Sequence, residues 1–421
     1  MLKSHQKIFA VCLSAVILAS SGCQQAANLS KPTVSPASLR DVPAQRLGYR
    51  YEPDAPAPPE QQNVQAQEKL TAVQADFDQN RATDSLLKTV LSSDKQRALA
   101  VYQRAGDEKE EYRLDLYDAG GKLVRKVSPD ALALVFPEML AWSPDGGNFA
   151  FVGSRRISAP NEEIVQEAPI VPSLEGENAN ANSAAAPIAT PIVAATSGAK
   201  IEAFTVEQIY LASREGTDLR RVSVNPNLIY YYFAWSPDGA MLAALACKEN
   251  EWNGLQMQTA ARGEIFHPFG RPRLIEKSGR ERLLDDNLTD VSPVWSPDSA
   301  KLATAYSTNV RIYDAASNVP TSASIPLQVP LLTSSQAYDA ELKRRETATA
   351  TTNTINTNSE NVAAAPTNQV PVSYNPIVAL RWTEDNTLYL QTGFAKDYAG
   401  GEIRRSFMRW HKLNLSSQAQ Y

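Results

Sequence analysis

The chain contains 421 residues, with 41 lysines and arginines against 46 aspartates and glutamates, and therefore carries a formal net charge of −5. That balance argues against a strongly basic nucleic-acid-binding protein, so no nucleic-acid partner is expected. Hydrophobic residues make up 43 % of the chain, a proportion typical of globular proteins with a sizeable core. The 27 prolines outnumber the 19 glycines, which indicates extended, helix-poor structure.

The N-terminus, residues 1–22, has the pattern of a bacterial signal peptide. Lys3 and Lys7 precede an apolar run over residues 8–19, which is too short to cross a bilayer as a helix because that needs about 20 residues. Small residues then lead into Cys23. This arrangement resembles the lipobox of bacterial lipoproteins, in which the cysteine is lipidated and becomes the mature N-terminus. We therefore expect a protein of the periplasm or cell surface, anchored to the membrane through Cys23, with ordinary secretory cleavage as the alternative.

The next segment, residues 23–84, has the composition of a tether. Its stretch APAPPEQQNVQAQ, at residues 55–67, is rich in proline, alanine and glutamine and lacks the apolar residues that a core needs. We predict that residues 23–84 are largely disordered and let a globular head stand off the membrane. Residues 65–79 could form one short helix. Cys247 is the one cysteine that cleavage and lipidation leave free, so no internal disulfide is expected.

A repeated motif organises the remainder of the chain. Near copies of Trp-Ser-Pro-Asp begin at Trp142, Trp235 and Trp295, and degenerate copies begin at Leu91 and Trp382. Serine and aspartate bond the nearby backbone, proline presets φ and glycine favours the fourth place, so each copy predicts a type I turn between two strands. The tryptophan is large enough to anchor a strand in a core. The residues assigned to these turns are Trp142, Pro144, Asp145, Gly146, Trp235, Pro237, Asp238, Gly239, Trp295, Pro297, Asp298, Trp382 and Asp385.

A second strand–turn–strand pattern follows each motif, as in residues 209–222, so one unit holds four strands. Insertions near residues 154–203, 248–270 and 329–373 interrupt the units. Without them, five units average about 42 residues each, close to the roughly 40–45 residues of a propeller blade. Two insertions fall between the second and third strands of a unit and one after a fourth strand. All three are therefore expected at one face, opposite the Trp-Ser-Pro-Asp turns.

These units resemble the TolB-like (WD40-like) β-propeller repeat family, whose units carry Trp-Ser-Pro-Asp-Gly followed by an apolar strand. The resemblance covers residues 85–414 and implies an all-β propeller of four-stranded antiparallel blades, with five blades favoured over six. The fifth unit shows only three strands before the chain ends, so its fourth strand must come from elsewhere. Residues 45–51, or a strand just before the first unit, could supply it and hide the sheet edge.

Few residues suggest a chemical site. Neither His267 nor His411 has a second ligand at a metal-binding spacing, so we predict no metal site, no cofactor and no catalytic residue. The aspartates of the turns are interpreted as local hydrogen-bond acceptors. The aromatic run at residues 230–233 either packs between blades or forms a stacking platform for sugars.

The leading functional hypothesis is therefore a non-enzymatic, membrane-anchored propeller that binds or scaffolds proteins in the bacterial cell envelope. The family resemblance implies a periplasmic partner-binding role with a protein as the partner. Two alternatives stay open. One is a carbohydrate-binding propeller. The other is an envelope hydrolase or polysaccharide lyase, because propellers of this repeat type accompany prolyl-oligopeptidase hydrolases and some lyases.

Overall fold

The computed structural model describes residues 39–59, 69–105, 111–158, 202–204, 206–353, 376–405 and 408–418. The predicted signal peptide and Cys23 lie outside these ranges. Within them, no helix combines the length and the apolar character needed to cross a membrane.

The described N-terminal part of the chain forms short, local elements. Two 3-10 helices, Leu39–Asp41 and Ala44–Arg46, lead into strand β1 (Leu47–Glu52), and helix α1 (Thr71–Asn80) precedes the repeats.

The repeat region folds into five antiparallel sheets in chain order, here called blades I to V. Blade I contains β2 (Ser85–Leu91), β3 (Arg97–Gln103), β4 (Arg113–Asp118) and β5 (Leu123–Lys126). Blade II contains β6 (Leu132–Leu134), β7 (Leu140–Trp142), β8 (Asn148–Ser158), β9 (Glu202–Phe204), β10 (Gln208–Ser213) and β11 (Arg220–Arg221). Both β6 and β7 pair with β8, so the first strand of this blade is split in two.

The later blades carry helices or a hairpin between their strands. Blade III contains β12 (Leu228–Trp235), β13 (Met241–Lys248), helix α2 (Glu249–Ala261), β14 (Arg271–Glu276) and β15 (Glu281–Leu283). Blade IV contains β16 (Val294–Trp295), β17 (Lys301–Tyr306), β18 (Asn309–Asp314) and β19 (Ser322–Pro326), and helix α3 (Gln328–Asn353) follows it. Blade V contains β20 (Ile377–Glu384), β21 (Thr387–Thr392), the hairpin β22 (Ala395–Asp397) with β23 (Ile403–Arg405), and β24 (Arg409–Ser417).

The predicted fold class, an all-β chain of four-stranded antiparallel propeller blades, is confirmed: among the described residues four blades have four-stranded sheets, blade II has six strands, and the β22–β23 hairpin is a separate two-stranded sheet. The fourth strand of blade V is β1, which runs antiparallel to β24 with Leu47 opposite Ser417 and Glu52 opposite Lys412. This is one of the two sources proposed from the sequence. The pairing covers the outer edge of β24, which would otherwise present unpaired backbone groups.

The turns at the start of each blade follow from their residues. Gly146 has φ of +65° and Gly239 has φ of +68°, so the fourth turn position is left-handed in both. Ser299 occupies the same place in blade IV with φ of +62°. Each preceding aspartate accepts hydrogen bonds inside its own turn, for example at 3.0 Å from the backbone nitrogen of Gly147 to Asp145.

The tryptophans before the turns connect neighbouring blades. The indole Nε1 of Trp142 donates to the carbonyl oxygen of Val90 in blade I at 3.0 Å. Trp235 donates in the same way to Ala141 in blade II at 3.3 Å, and Trp295 makes the corresponding contact with blade III. Buried apolar clusters fill the spaces between blades I and II, II and III, III and IV, and IV and V. The core is therefore a row of interfaces between successive sheets.

The two ends of this row are covered differently. Helix α1 packs Val73 and Phe77 against the face of blade I that points away from blade II, where they contact Tyr102 and Tyr117. In the described part of the chain, no buried apolar cluster joins blades I and V. Helix α1 thus takes a place that a neighbouring blade would take elsewhere in the row.

Two segments predicted to be mainly irregular contain regular elements among the described residues. Within residues 23–84, expected to be largely disordered, the stretch 39–52 packs on blades IV and V and helix α1 packs on blade I. The cause is nonlocal, since each short segment buries only a few apolar side chains and does so against distant strands.

The predicted insertions also contain regular structure. Strand β8 runs on to Ser158 and pairs with β9, so the insertion near 154–203 begins as a long hairpin. The insertion near 248–270 holds helix α2, and the one near 329–373 begins within helix α3. The elements α2, α3 and the β22–β23 hairpin follow second or fourth strands, so they emerge at one face, opposite the Trp-Ser-Pro-Asp turns. We call these two sides the loop face and the turn face.

Candidate functional site

Two cavities meet along the innermost strands of blades III, IV and V. The loop-face cavity has a volume of about 660 Å³ and the turn-face cavity about 990 Å³. The residues that line both are Tyr232, Asp290, Ser292 and Val378. These four side chains therefore form the waist of one channel, and Asp290 is the carboxylate at that waist.

Two elements that the sequence did not connect build the roof of the loop-face cavity. The segment after α2 pairs with the β22–β23 hairpin of blade V. Ile265 donates its backbone N–H to the carbonyl oxygen of Asp397 at 2.8 Å, and Ala399 donates to that of Gly263 at 2.8 Å. A salt bridge of 2.6 Å between Lys396 Nζ and Glu264 Oε1 joins the same elements. Blades III and V are thus bridged across the channel.

Helix α2 is held to the sheets by aromatic side chains. Trp252 lies 5.5 Å from the ring of Tyr231, 6.3 Å from Phe136 and 4.9 Å from Phe266, measured between ring centroids. Aromatic pairs at such distances add stabilisation beyond their buried area. The helix start is also tied down, because Glu251 accepts hydrogen bonds from Arg271 at 2.6 and 2.9 Å.

The cavity wall is apolar with a few polar groups, a combination typical of binding sites. Apolar lining residues are Met139, Tyr231, Leu245, Leu255, Ile265, Phe269 and Met408. Asp290 lies in a crowded part of the channel, where burial raises the pKa of its carboxyl and the nearby His267 offsets part of that effect. Oδ1 of Asp397 is buried and has no hydrogen-bond partner among the described residues. Asp290 therefore provides a carboxylate that can accept N–H or O–H donors from a ligand, whereas the buried Oδ1 of Asp397 is out of a ligand's reach.

The two histidines noted in the sequence have different surroundings. His267 lines the loop-face cavity. His411 is fully buried on β24, and burial, with Arg409 nearby, lowers its pKa to about 4. Its Nε2 lies 3.0 Å from Thr392 Oγ1. His411 is thus a neutral structural group that lies away from the channel. Within the described ranges, no three histidine, cysteine, aspartate or glutamate side chains are grouped so that they could hold a metal ion.

The aromatic run at residues 230–233 packs against protein on both sides of its strand. Tyr230 is buried between blades II and III, and its hydroxyl donates to Glu281 Oε1 at 2.7 Å. Tyr231 is only 8 % exposed and lies against Trp252. Burial raises the pKa of the Tyr231 and Tyr232 hydroxyls. Tyr230 and Tyr231 therefore offer no open ring face for a sugar, whereas Tyr232 is partly exposed and lines the channel.

The turn residues identified in the sequence lie at the turn face. Pro144, Trp235, Pro237, Trp295 and Trp382 line the turn-face cavity. The aspartate side chains of the turns bond their own loops, as in the contact of 2.6 Å between Ser236 Oγ and Asp238 Oδ1. Cys23, the predicted lipidation residue, lies outside the described part of the chain.

Sequence reasoning missed the residues that shape the loop-face cavity, chiefly Glu264, Asp290, Lys396 and Asp397. The contacts of Glu264 with Lys396 and of Ile265 with Asp397 join segments 132 positions apart, which no local pattern reports. One local signal was present, because Gly400-Gly401 marks a tight turn between two short strands. It would have predicted the β22–β23 hairpin but not its partner.

Comparison with known proteins supports the fold and assigns no family. No family model matches the chain, and no curated protein sequence matches it. Similar solved structures are β-propeller proteins. Prolyl oligopeptidase B from Galerina marginata is 10 % identical, with 88 % of this chain and 43 % of that chain covered and a TM-score of 0.36. An oligogalacturonate lyase from Vibrio parahaemolyticus is 9 % identical, with coverages of 77 % and 65 % and a TM-score of 0.32.

A third similar structure, a nidogen/laminin complex, is 9 % identical, with coverages of 79 % and 85 % and a TM-score of 0.30. The chain spans less than two thirds of the length of the two enzymes above. At this level of identity the likeness concerns the propeller fold alone. The propeller-like fold itself rests on the five successive antiparallel sheets of the structure.

The expectation that this chain is not an enzyme is wrong as an inference from its sequence. Prolyl endopeptidases, a dipeptidyl peptidase and an oligogalacturonate lyase are among the similar structures. The prediction that the chain is not an enzyme is therefore withdrawn. The same likeness assigns no reaction to this chain.

Proposed function

We propose that this chain is a binding propeller whose loop-face cavity takes a segment of a partner protein. The observation that carries the proposal is the cavity of about 660 Å³, which the loops of blades III and V enclose over the inner strands. Loops on a rigid scaffold are a common place for binding residues.

A peptide segment fits the chemistry of this cavity. Its backbone N–H groups would donate to the carboxylate of Asp290, and its apolar side chains would pack on Leu245, Leu255 and Phe269. A sugar ligand is less well matched, because Tyr231 is buried against Trp252 and offers no open ring face. Protein is therefore the partner class that we favour over carbohydrate.

Site-specific photocrosslinking tests the position of the partner. Ile265 lines the cavity and is 50 % exposed, so a benzophenone amino acid at this position should form an adduct in native envelope extracts. Val124 lies on strand β5 of blade I with 40 % exposure, does not line the cavity and is the matched control position. The adduct at position 265 should disappear when Leu255→Glu places a carboxylate in the apolar wall. Equal adducts at both positions, or an adduct that survives Leu255→Glu, would count against the proposal.

We also propose that Cys23 carries a lipid that anchors the protein in the bacterial cell envelope. Sixteen residue steps separate Cys23 from Leu39, so this link can reach at most about 55 Å when extended. That distance allows the propeller to stand clear of a membrane surface. Mass analysis of the membrane fraction should find an acylated N-terminal Cys23, and Cys23→Ala should release the protein. Release of an unmodified wild-type protein would contradict the anchor without affecting the cavity proposal.

A further inference from the structure

A groove on the turn face separates blades III and IV. It has a volume of about 540 Å³ and lies between the β14–β15 turn and the loop from β18 to β19. Its floor is apolar and includes Met241, Leu274 and Ala315, whereas its walls carry Lys277, Arg280 and Arg282. The groove is distinct from the central channel, and no lining residue is shared between the groove and either channel cavity.

Arg282 is the innermost cation of the groove. Its Nη2 donates to the carbonyl oxygens of Asp314 at 2.6 Å and Ala315 at 3.3 Å. Among the described residues it forms no ion pair; burial lowers its pKa, an effect that the Asp314 and Glu276 carboxylates oppose and Arg280 strengthens. The carboxylate of Asp314 is engaged by Lys301 at 2.9 Å and makes no salt bridge with Arg282. A half-buried guanidinium without a carboxylate partner favours binding of an anion.

The other two cations are weakly engaged. The Arg280 side chain is 80 % exposed, and its contact with Glu276 is long at 3.7 Å. Lys277 lies 3.7 Å from Asp145 and 5.6 Å from the ring centroid of Trp235. Of the residues lining the groove, Glu276 is the one carboxylate against three cations. The groove is therefore locally positive in a chain whose formal net charge is −5.

We propose that this groove binds an acidic, partly apolar peptide segment of a partner protein, with its carboxylates on Arg280 and Arg282 and its apolar side chains on the floor. The planar guanidinium group matches a carboxylate in two parallel hydrogen bonds, which gives geometric selectivity in addition to charge attraction. The apolar floor distinguishes a peptide from a small inorganic anion, because a phosphate ion has nothing to bury there. The proposal is independent of the loop-face cavity.

Fluorescence anisotropy with the full chain tests the proposal. The probe is a labelled peptide of alternating glutamate and leucine, and the control probe has glutamine in place of glutamate. We expect Arg282→Gln to weaken binding of the acidic probe by roughly tenfold, as the loss of one charge-assisted hydrogen-bonded contact predicts. Arg280→Gln should weaken it about two- to fivefold because that side chain is exposed. Arg344→Gln removes a cation from helix α3, far from the groove, and should leave binding unchanged.

A second variant separates the loss of an anion contact from damage to the fold. Because Arg282→Gln also removes two backbone contacts, Ala316→Glu provides a second variant, which places a carboxylate in the groove from an exposed position and should abolish binding. Equal binding of the two probes would overturn the proposal. Full displacement of the acidic probe by inorganic phosphate at a concentration equal to that of the probe would also overturn the proposal, since that result would show a simple anion site.

Discussion

The hydroxyl group of Tyr51 lies 2.9 Å from Nδ1 of His411, and this contact joins the N-terminal strand to the last strand of the chain. The backbone N–H of Asp54 also donates to Nδ1, at 3.2 Å. Nδ1 is therefore an acceptor, which places the hydrogen of the neutral ring on Nε2, where it can be donated to Thr392 Oγ1. A proton added to Nδ1 would point at the hydrogens of the Tyr51 hydroxyl and the Asp54 N–H, which would repel it. The site therefore requires a neutral imidazole.

His411 should make the stability of the protein depend on pH. Its folded-state pKa is lowered to about 4 from the ordinary histidine value of 6.5, so between these pH values the unfolded chain binds a proton that the folded chain excludes. The neutral ring makes its full contribution to the free energy of unfolding above about pH 6.5. This contribution declines as the pH falls toward 4, by ~3 kcal/mol in total. Urea unfolding at pH 7, 6, 5 and 4 measures this loss.

His411→Gln supplies the comparison, because glutamine keeps a donor and an acceptor but cannot titrate. The difference in unfolding free energy between wild type and His411→Gln should shrink as the pH falls. His267→Gln, at the exposed histidine of the cavity, should follow the wild-type curve. Parallel curves for wild type and His411→Gln would refute the role of the neutral ring.

The tryptophans between blades should contribute through their indole N–H groups. Trp142→Phe leaves the carbonyl oxygen of Val90 without its donor in a buried interface, and we expect a loss of about 1–3 kcal/mol in unfolding free energy. Trp382→Phe is the control, because its Nε1 bonds Asp385 in its own turn at 3.3 Å and no neighbouring blade. A larger loss for Trp382→Phe than for Trp142→Phe would be inconsistent with this account.

The buried ion pair of blade IV should be sensitive to loss of its acid. Lys301 Nζ lies 2.9 Å from Asp314 Oδ1, and Asp314 also accepts from the backbone N–H of Ala44 at 3.1 Å. Asp314→Asn leaves the Lys301 charge buried without a counter-ion, so we expect a loss of about 3–5 kcal/mol. Glu341→Gln, in an exposed pair with Arg344, should change stability little.

Chemical denaturation measures both variants of this pair, and limited proteolysis reports on the N-terminal contact. Because Ala44 is attached through the same carboxylate, Asp314→Asn should also speed cleavage within residues 39–52. Unchanged cleavage with reduced stability would indicate that Ala44 is held by its other contacts.

Helix α1 should protect the end of blade I. Phe77→Ala removes a buried ring that packs on Tyr102 and Tyr117, with centroid distances of 5.2 and 6.3 Å. We expect a loss of about 3–5 kcal/mol and increased binding of a hydrophobic dye, because none of the blades formed by the described residues packs on the sheet face beneath. The exposed neighbour Asp78→Ala is the control and should bind no more dye than wild type. Dye binding that is unchanged in Phe77→Ala would show that another element covers this face.

Much of the fold was predictable because its signals are local. Ser143, Pro144, Asp145 and Gly146 specify their turn through bonds and dihedral preferences that span four residues. The apolar runs beside such turns indicate strands, and their repetition indicates a row of similar sheets. Residues 45–51 were identified as one possible source of the missing strand because blade V lacked one. The sequence alone could not show whether residues 45–51 or a strand just before the first unit supplies the missing strand.

The insertions and the candidate site were not predictable in the same way. Helix α2 is anchored by the contacts of Trp252 with Phe136 and Tyr231, which lie in other segments of the chain. The roof of the cavity depends on Glu264 meeting Lys396, a pair separated by 132 positions. Helix α1 covers blade I through Phe77, although its own sequence is short and polar.

By itself, the sequence determined the turns, the strands and their four-fold grouping, because hydrogen bonding within a turn and alternation along a strand act over a few residues. Only the tertiary structure decided that β1 completes blade V, that α1 covers blade I, and that Asp290 lies at the waist of a channel. Those outcomes depend on which distant surfaces bury each other, and short segments have no stable place until that burial occurs.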